Sequence, residues 1–238
     1  MSTPSSQLKK QHPFLDFMVS IAAPSFILMK LSGPEDLGAS GALLVALAFP
    51  FAWGLYELLK HRKVNFIALL GLVSVLLTGG IGLLKIDPQW LAIKEAAVPG
   101  VIGIAVLISA RTRYPLVRTL LYTPAVLNIE RIHQKLVENG ALTAFEERLV
   151  RATHGLSGTF FFSSAMNYIL AKSIVTSPAG SQAFNEQLGT LTFLSYPIIA
   201  IPSLVMMTGL FYYLWRTIRT LTGLTLEEAL AASIQHRS

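Results

Sequence analysis

Long stretches of this chain contain no Asp, Glu, Lys or Arg, among them Leu37 to Tyr56, Val64 to Leu84, and Gln187 to Trp215. A helix needs roughly 20 apolar residues to cross a hydrocarbon core about 30 Å thick, and lipid offers no partner to an unpaired backbone N–H or C=O. Blocks of that length predict membrane-spanning helices. Composition agrees: 53% of the 238 residues are hydrophobic and only 13% charged, well under the roughly 25% charged residues of soluble domains.

The pattern predicts an all-α polytopic membrane protein with six transmembrane helices, Phe14–Leu31, Leu37–Leu59, Val64–Leu84, Gln89–Ala110, Gly155–Val175 and Leu188–Trp215. The first follows Lys9 and Lys10, as a signal peptide would, but no clear small-residue cleavage site comes after it. Of the 19 Lys and Arg residues, all but Lys30, Lys85, Lys94 and Lys172 fall on one side of this series. By the positive-inside rule that side is cytosolic, and both termini lie there. The arrangement reads as four segments: an N-terminal four-helix membrane segment, 1–110; a cytosolic amphipathic linker, 111–154; a transmembrane hairpin, 155–215; and a cytosolic tail helix, 216–238.

Within the linker, Ile129, Ile132 and Leu136 recur at helical spacing opposite Glu130, Gln134 and Glu138. That is an amphipathic helix, to rest either on the inner leaflet or on the rest of the protein. Asn139-Gly140 gives a turn, and Thr143 with Glu146 has capping-box spacing, which starts a helix at Ala144 that runs into the fifth span. A second box, Thr225 with Glu228, opens a tail helix with Leu226, Leu230 and Ile234 as its apolar face.

Ionisable residues inside a span are costly and tend to face a cavity or a partner, so Lys94 and Glu95 are the leading functional candidates. Neighbours on a helix point about 100° apart, so the two cannot simply neutralise each other and one of them should meet another span. Asp16 near the cytosolic face of the first span and Asn167 in the fifth are further intramembrane polar candidates, Asn167 as an interhelical hydrogen-bonding residue. In the third span Ser74, Thr78 and Gly82 recur every four residues with Gly71, Gly79 and Gly80 nearby, a seam for close helix packing. The run Gly79-Gly80-Ile81-Gly82 also has the composition of a helix that unwinds to line a cavity.

Enzyme chemistry finds no support. There is no Cys, no metal-ligand spacing among the five His, no phosphate-binding loop, and Gly155-Leu156-Ser157-Gly158 lacks the spacing of a nucleophile elbow. No catalytic, cofactor or metal site is expected. The net charge of +6 sits at span ends, where it meets anionic lipid rather than nucleic acid.

Phe14-Leu15-Asp16-Phe17, the aromatic-rich end of the second span running into Arg62-Lys63-Val64, Thr78-Gly79-Gly80 before a short acidic loop, Lys94 just after it, and Tyr114-Pro115-Leu116-Val117-Arg118 together resemble the bacterial intracellular septation protein A family. The resemblance covers Phe14 to Arg118 and is that of a diverged relative, with a longer linker and an added tail helix. It implies a bacterial inner-membrane protein, multi-pass, with a non-catalytic role in envelope integrity or division, whose partners are membrane lipids, a second copy of the chain or other envelope proteins. The alternative is a small secondary transporter with its site at Lys94 and Glu95.

Overall fold

A computed structural model describes residues 21–61, 66–112, 116–120, 122 and 127–230. The protein is all-α. Its helices are α1 (Ala23–Lys30), α2 (Gly38–His61), α3 (Phe66–Leu83), α4 (Gln89–Ser109), α5 (Leu116–Leu120), α6 (Ile129–Glu138), α7 (Leu142–Ile174), α8 (Gln182–Ser195), a π-helical turn over Tyr196–Ala200, α9 (Ile201–Thr222) and α10 (Leu226–Ala229). Among the described residues extended pairing is limited to one isolated bridge, Leu127 with Leu230.

Two helical stretches are long and apolar enough to cross a membrane: Gln89–Ser109, of 21 residues and mean hydropathy 2.0, and the continuous Gln182–Thr222, of 41 residues. Only 22% and 11% of their apolar windows are buried, whereas a soluble protein's core helix would be largely buried. At 1.5 Å per residue the first is about 31 Å long, matching a hydrocarbon core. Shorter apolar helical segments run over Gly38–Ala52 and Val73–Leu83. The expected first span is described only from residue 21, and Asp16 lies outside the described residues.

The π-helical turn interrupts what the sequence reads as one span. Pro197 and Pro202 lack the N–H that an α-helix would return four residues back, and the wider turn absorbs the mismatch. Pro50 and Pro99, by contrast, are accommodated inside α2 and α4.

The chain divides into two compact units, Met1–Lys94 with Leu170–Ser195, and Glu95–Ile169 with Tyr196–Ser238. In the first, α2 supplies Ala42, Leu43 and Ala46 to a core shared with Leu28 of α1, Ile81 of α3, Leu91 of α4 and Phe184 and Leu188 of α8. In the second, Leu149, Ala152 and Leu156 of α7 pack with Val106 of α4, Leu214 and Ile218 of α9, and Ile132 and Leu136 of α6.

The amphipathic linker helix is thus packed on protein: Ile132 and Leu136 are buried. Its boundaries are chemical. Asn128 caps it, accepting from the Arg131 N–H at 3.2 Å. It ends where Gly140 takes the left-handed conformation (φ 61°) and the Ala141 N–H reaches back to the Leu136 carbonyl at 2.9 Å, the closure that glycine favours. Helix α7 then begins at Leu142 and runs without a break to Ile174, through the stretch expected as the fifth span. Its start lies before the expected Ala144, so Thr143 and Glu146 fall inside the first turn and form no capping box; Glu146 instead pairs with Arg118 at 3.6 Å.

The tail box does form: Thr225 accepts from the Glu228 N–H while the Glu228 carboxylate accepts from the Thr225 N–H. Its buried residue is Ala229, and Leu226, expected on the apolar face, is exposed; Ile234 lies outside the described residues. A four-residue helix is too short for its expected apolar stripe to decide its packing. Instead it is held by the Asn128 N–H to the Ala229 carbonyl at 2.8 Å and by Arg131 to Glu228 at 2.6 Å. The Thr225 backbone N–H, then its side chain, Arg131 and Lys135 keep the Glu228 carboxyl below the usual range. Beside α7, burial pushes the Tyr122 hydroxyl up to about 12, against the opposing pull of Arg118.

Candidate functional site

The small-residue seam of α3 and the lysine of α4 meet in the first unit. Ser74 and Thr78, four residues apart, lie on one face of α3, and Lys94 reaches that face from the start of α4. Its Nζ donates to Thr78 Oγ1 at 2.7 Å and to Ser74 Oγ at 3.1 Å. Thr78 in turn donates to the Ser74 carbonyl at 3.0 Å, which leaves its oxygen lone pairs for the ammonium. Thr78 is buried; Ser74 and Lys94 are half-buried. A cation taken partly out of water needs acceptors, and two hydroxyls on an adjacent helix provide them without introducing a counter-charge. The sequence placed Ser74 and Thr78 in a packing seam and Lys94 among functional candidates; the structure makes them one cluster.

Glu95, about 100° round the helix from Lys94, belongs to the second unit and is half-buried.

The glycines of α3 divide by face. A Cβ on Gly82 would run into Leu43 Cδ2 of α2 and lie 3.3 Å from Phe184 Cε1, and one on Gly79 would lie 3.0 Å from Leu47 Cδ1. Both are close-packing positions. Gly80 has nothing within 4 Å and lines an open apolar groove with Leu44, Phe51 and Leu76. Gly71 lies on the same helix. The Gly79-Gly80-Ile81-Gly82 run remains helical to Leu83, in keeping with the close-packing seam rather than the alternative of an unwound segment.

Among the described residues, Asn167 bonds within its own helix rather than to another. Its Nδ2 donates to the Ser163 carbonyl at 2.8 Å and Ser163 Oγ at 3.3 Å within α7. Beyond the Lys94 cluster, further interhelical polar contacts come from residues that the sequence did not single out for that role. In the first unit Asn185 of α8, fully buried, donates to Ser32 Oγ at 3.0 Å and to the Ala39 carbonyl at 2.6 Å. One turn on, a Cβ at Gly189 would lie 2.8 Å from the Ser25 carbonyl oxygen and 2.8 Å from Met29 Cγ, so α1 and α8 approach backbone to backbone. The second unit uses serines: Ser157 donates to the Gly103 carbonyl and Ser164 to the Ala96 carbonyl, each at 2.8 Å. A legible signal existed, since Ser157 and Ser164 are two helical turns apart and face small residues of α4.

Among the described residues no group of His, Asp and Glu is placed to hold a metal ion. Compared with protein-family models, curated proteins and solved structures, the chain matches none of them.

Proposed function

We propose that this chain is a six-span protein of the bacterial inner membrane, both termini cytoplasmic, that supports envelope integrity or division without catalysing a reaction, through helix and lipid contacts. The observation that carries the reading is the Lys94 cluster. Its ammonium donates to Thr78 and Ser74 of the neighbouring helix, which ties α4 to α3. The large apolar side chains left in the open, among them Leu76 (57% exposed), Val101 (64%) and Leu204 (66%), support burial in lipid, since soluble monomers rarely expose apolar patches on that scale. The resemblance to the septation protein A family over Phe14 to Arg118 supports the envelope role. A transporter using Lys94 and Glu95 is the competing reading; the helical glycine run gives it less to work with.

Topology is testable directly because the chain has no Cys. Val137→Cys in the linker and Ser177→Cys in the loop before α8 should react with membrane-impermeant reagents from opposite sides; labelling from one side would sink the six-span arrangement. For function, cells in which the chain is the sole copy should lose envelope resistance with Lys94→Met in proportion to lost folded protein. A Lys94→Met protein present and folded at full level, yet inactive, would favour solute transport.

A further inference from the structure

Arginines of the second unit differ in whether they have a carboxylate partner. Arg131, Arg118 and Arg151 have carboxylate partners, Glu228 at 2.6 Å, Glu146 at 3.6 Å and Glu147 at 3.8 Å. Arg216 and Arg219 are exposed, and among the described residues no carboxylate lies within ion-pair reach of either. Three residues apart, they share a face of α9.

That face is ordered along its length. It runs from Ile201 (57% exposed) through Val205 (66%) and Thr208 to Tyr212 (63%), and then to Arg216 and Arg219. Apolar surface gives way to an amphipathic aromatic ring and then to unneutralised guanidinium groups, the sequence of chemistries met on leaving a hydrocarbon core for the headgroup layer. Helix α4 ends in the same way: Val101, Ile104 and Ile108 are exposed, and Arg111 follows in the closing turn with its N–H on the Ile108 carbonyl at 3.0 Å.

We infer that Arg216 and Arg219, with Tyr212 one turn below them, form a docking face for the headgroup of an anionic phospholipid, Arg111 offering a second contact of the same kind. This rests on the membrane reading above. Guanidinium matches a phosphate's oxygens in a bidentate fork. A zwitterionic lipid brings its own cation and leaves the arginine pair's charge uncompensated, whereas a net anionic lipid cancels it. Surface basic groups attract such lipids by an amount corresponding to roughly fivefold in occupancy each.

The test uses the full chain in bilayers of equal parts phosphatidylcholine and phosphatidylglycerol, with retained lipid read by native mass spectrometry. Wild type should retain phosphatidylglycerol preferentially. Arg216→Gln with Arg219→Gln should abolish most of that preference, and Arg216→Lys with Arg219→Lys, which keeps the charge and guards against a folding defect, should keep it. Arg131→Gln, an equal change in charge at an arginine with a carboxylate partner, should leave it intact. Equal retention of both lipids by wild type, or undiminished preference in the double Gln variant, overturns the docking face while the protein remains in the bilayer. Extraction of the wild-type chain by alkaline carbonate without detergent overturns the membrane reading itself, and the docking face with it.

Discussion

Lys94 in the first unit and Ser157 in the second each bond from one helix to its neighbour, yet they leave different debts if the contact is removed. Ser157 gives a neutral hydroxyl to the Gly103 carbonyl; delete it, and a small polar group and its need for a partner disappear together. Thr78 gives a lone pair to an ammonium; delete that, and the cation remains, half-buried and one acceptor short. Neutral interhelical hydrogen bonds in membranes average only about 0.6 kcal/mol, whereas stranding a charged group costs more than its partner's own contribution. The first unit is therefore the one whose integrity depends on single polar side chains, and the second spreads its cohesion over serine contacts, capped helix ends and surface ion pairs.

The largest effect should come from the closest backbone approach in the first unit. Gly189→Ala places a methyl against the Ser25 carbonyl, an atom that cannot rotate away. A loss of about 3 kcal/mol in unfolding free energy, measured in bicelles, is expected from overpacking of this kind; a change under about 1 kcal/mol would show that α1 and α8 have room to separate.

Next, Thr78→Val should cost about 2 kcal/mol by stranding part of the Lys94 ammonium, against under about 1 kcal/mol for Ser157→Ala. Equal losses would erase the contrast between the units. Smaller again is the contrast within α3. Gly82→Ala must displace the buried Leu43 and should cost about 1–2 kcal/mol. Gly80→Ala meets nothing and should be neutral or stabilising by up to about 1 kcal/mol through helix propensity. The same bicelle assay decides it, and a destabilising Gly80→Ala would mean that the groove has an occupant in the membrane.

The smallest effects are pH-dependent and confined to the second unit. Glu228 has a lowered carboxyl pKa in the fold, so its contribution to the tail contact is complete above its ordinary value of 4.5 and fades as pH falls through the lowered one. Protection of the Asn128 N–H, which bonds to the Ala229 carbonyl, measured as hydrogen exchange relative to the intrinsic rate at each pH, should fall in acid and do so less steeply in Glu228→Gln. Tyr122 runs the other way: its contribution is complete below the unfolded value of 10.0 and is lost as pH climbs towards about 12. Difference absorbance between wild type and Tyr122→Phe should show a phenol still protonated above pH 10.

Much of the fold was legible because apolar patterning and helix periodicity act locally. The charge-free blocks anticipated α2 and α3 within a few residues, Asn139-Gly140 marked a real helix end, and Thr225 with Glu228 formed its box. The identical spacing at Thr143 and Glu146 formed none, since the turn at Gly140 lets the helix begin at Leu142. The site was half legible: Ser74, Thr78 and Lys94 were each singled out, but not as one cluster. Asn185 escaped notice because a lone amide in a polar-flanked segment carries no periodic signal, and its partners Ser32 and Ala39 are remote in sequence.

By itself, then, the sequence determined the helical class, most helix positions and the apolar exterior, since the need to satisfy backbone groups and the distribution of charge are properties of each segment alone. Only the tertiary structure decided that Lys94 is held by α3, that Asn167 turns back on its own helix, and that Gly82 and Gly189 are contact points while Gly80 is open. Those outcomes depend on which helix faces meet and at what register, and apolar helices of similar composition offer many such pairings. The choice is made by a few atoms of fit: an ammonium within reach of two hydroxyls, and a glycine where a second backbone passes.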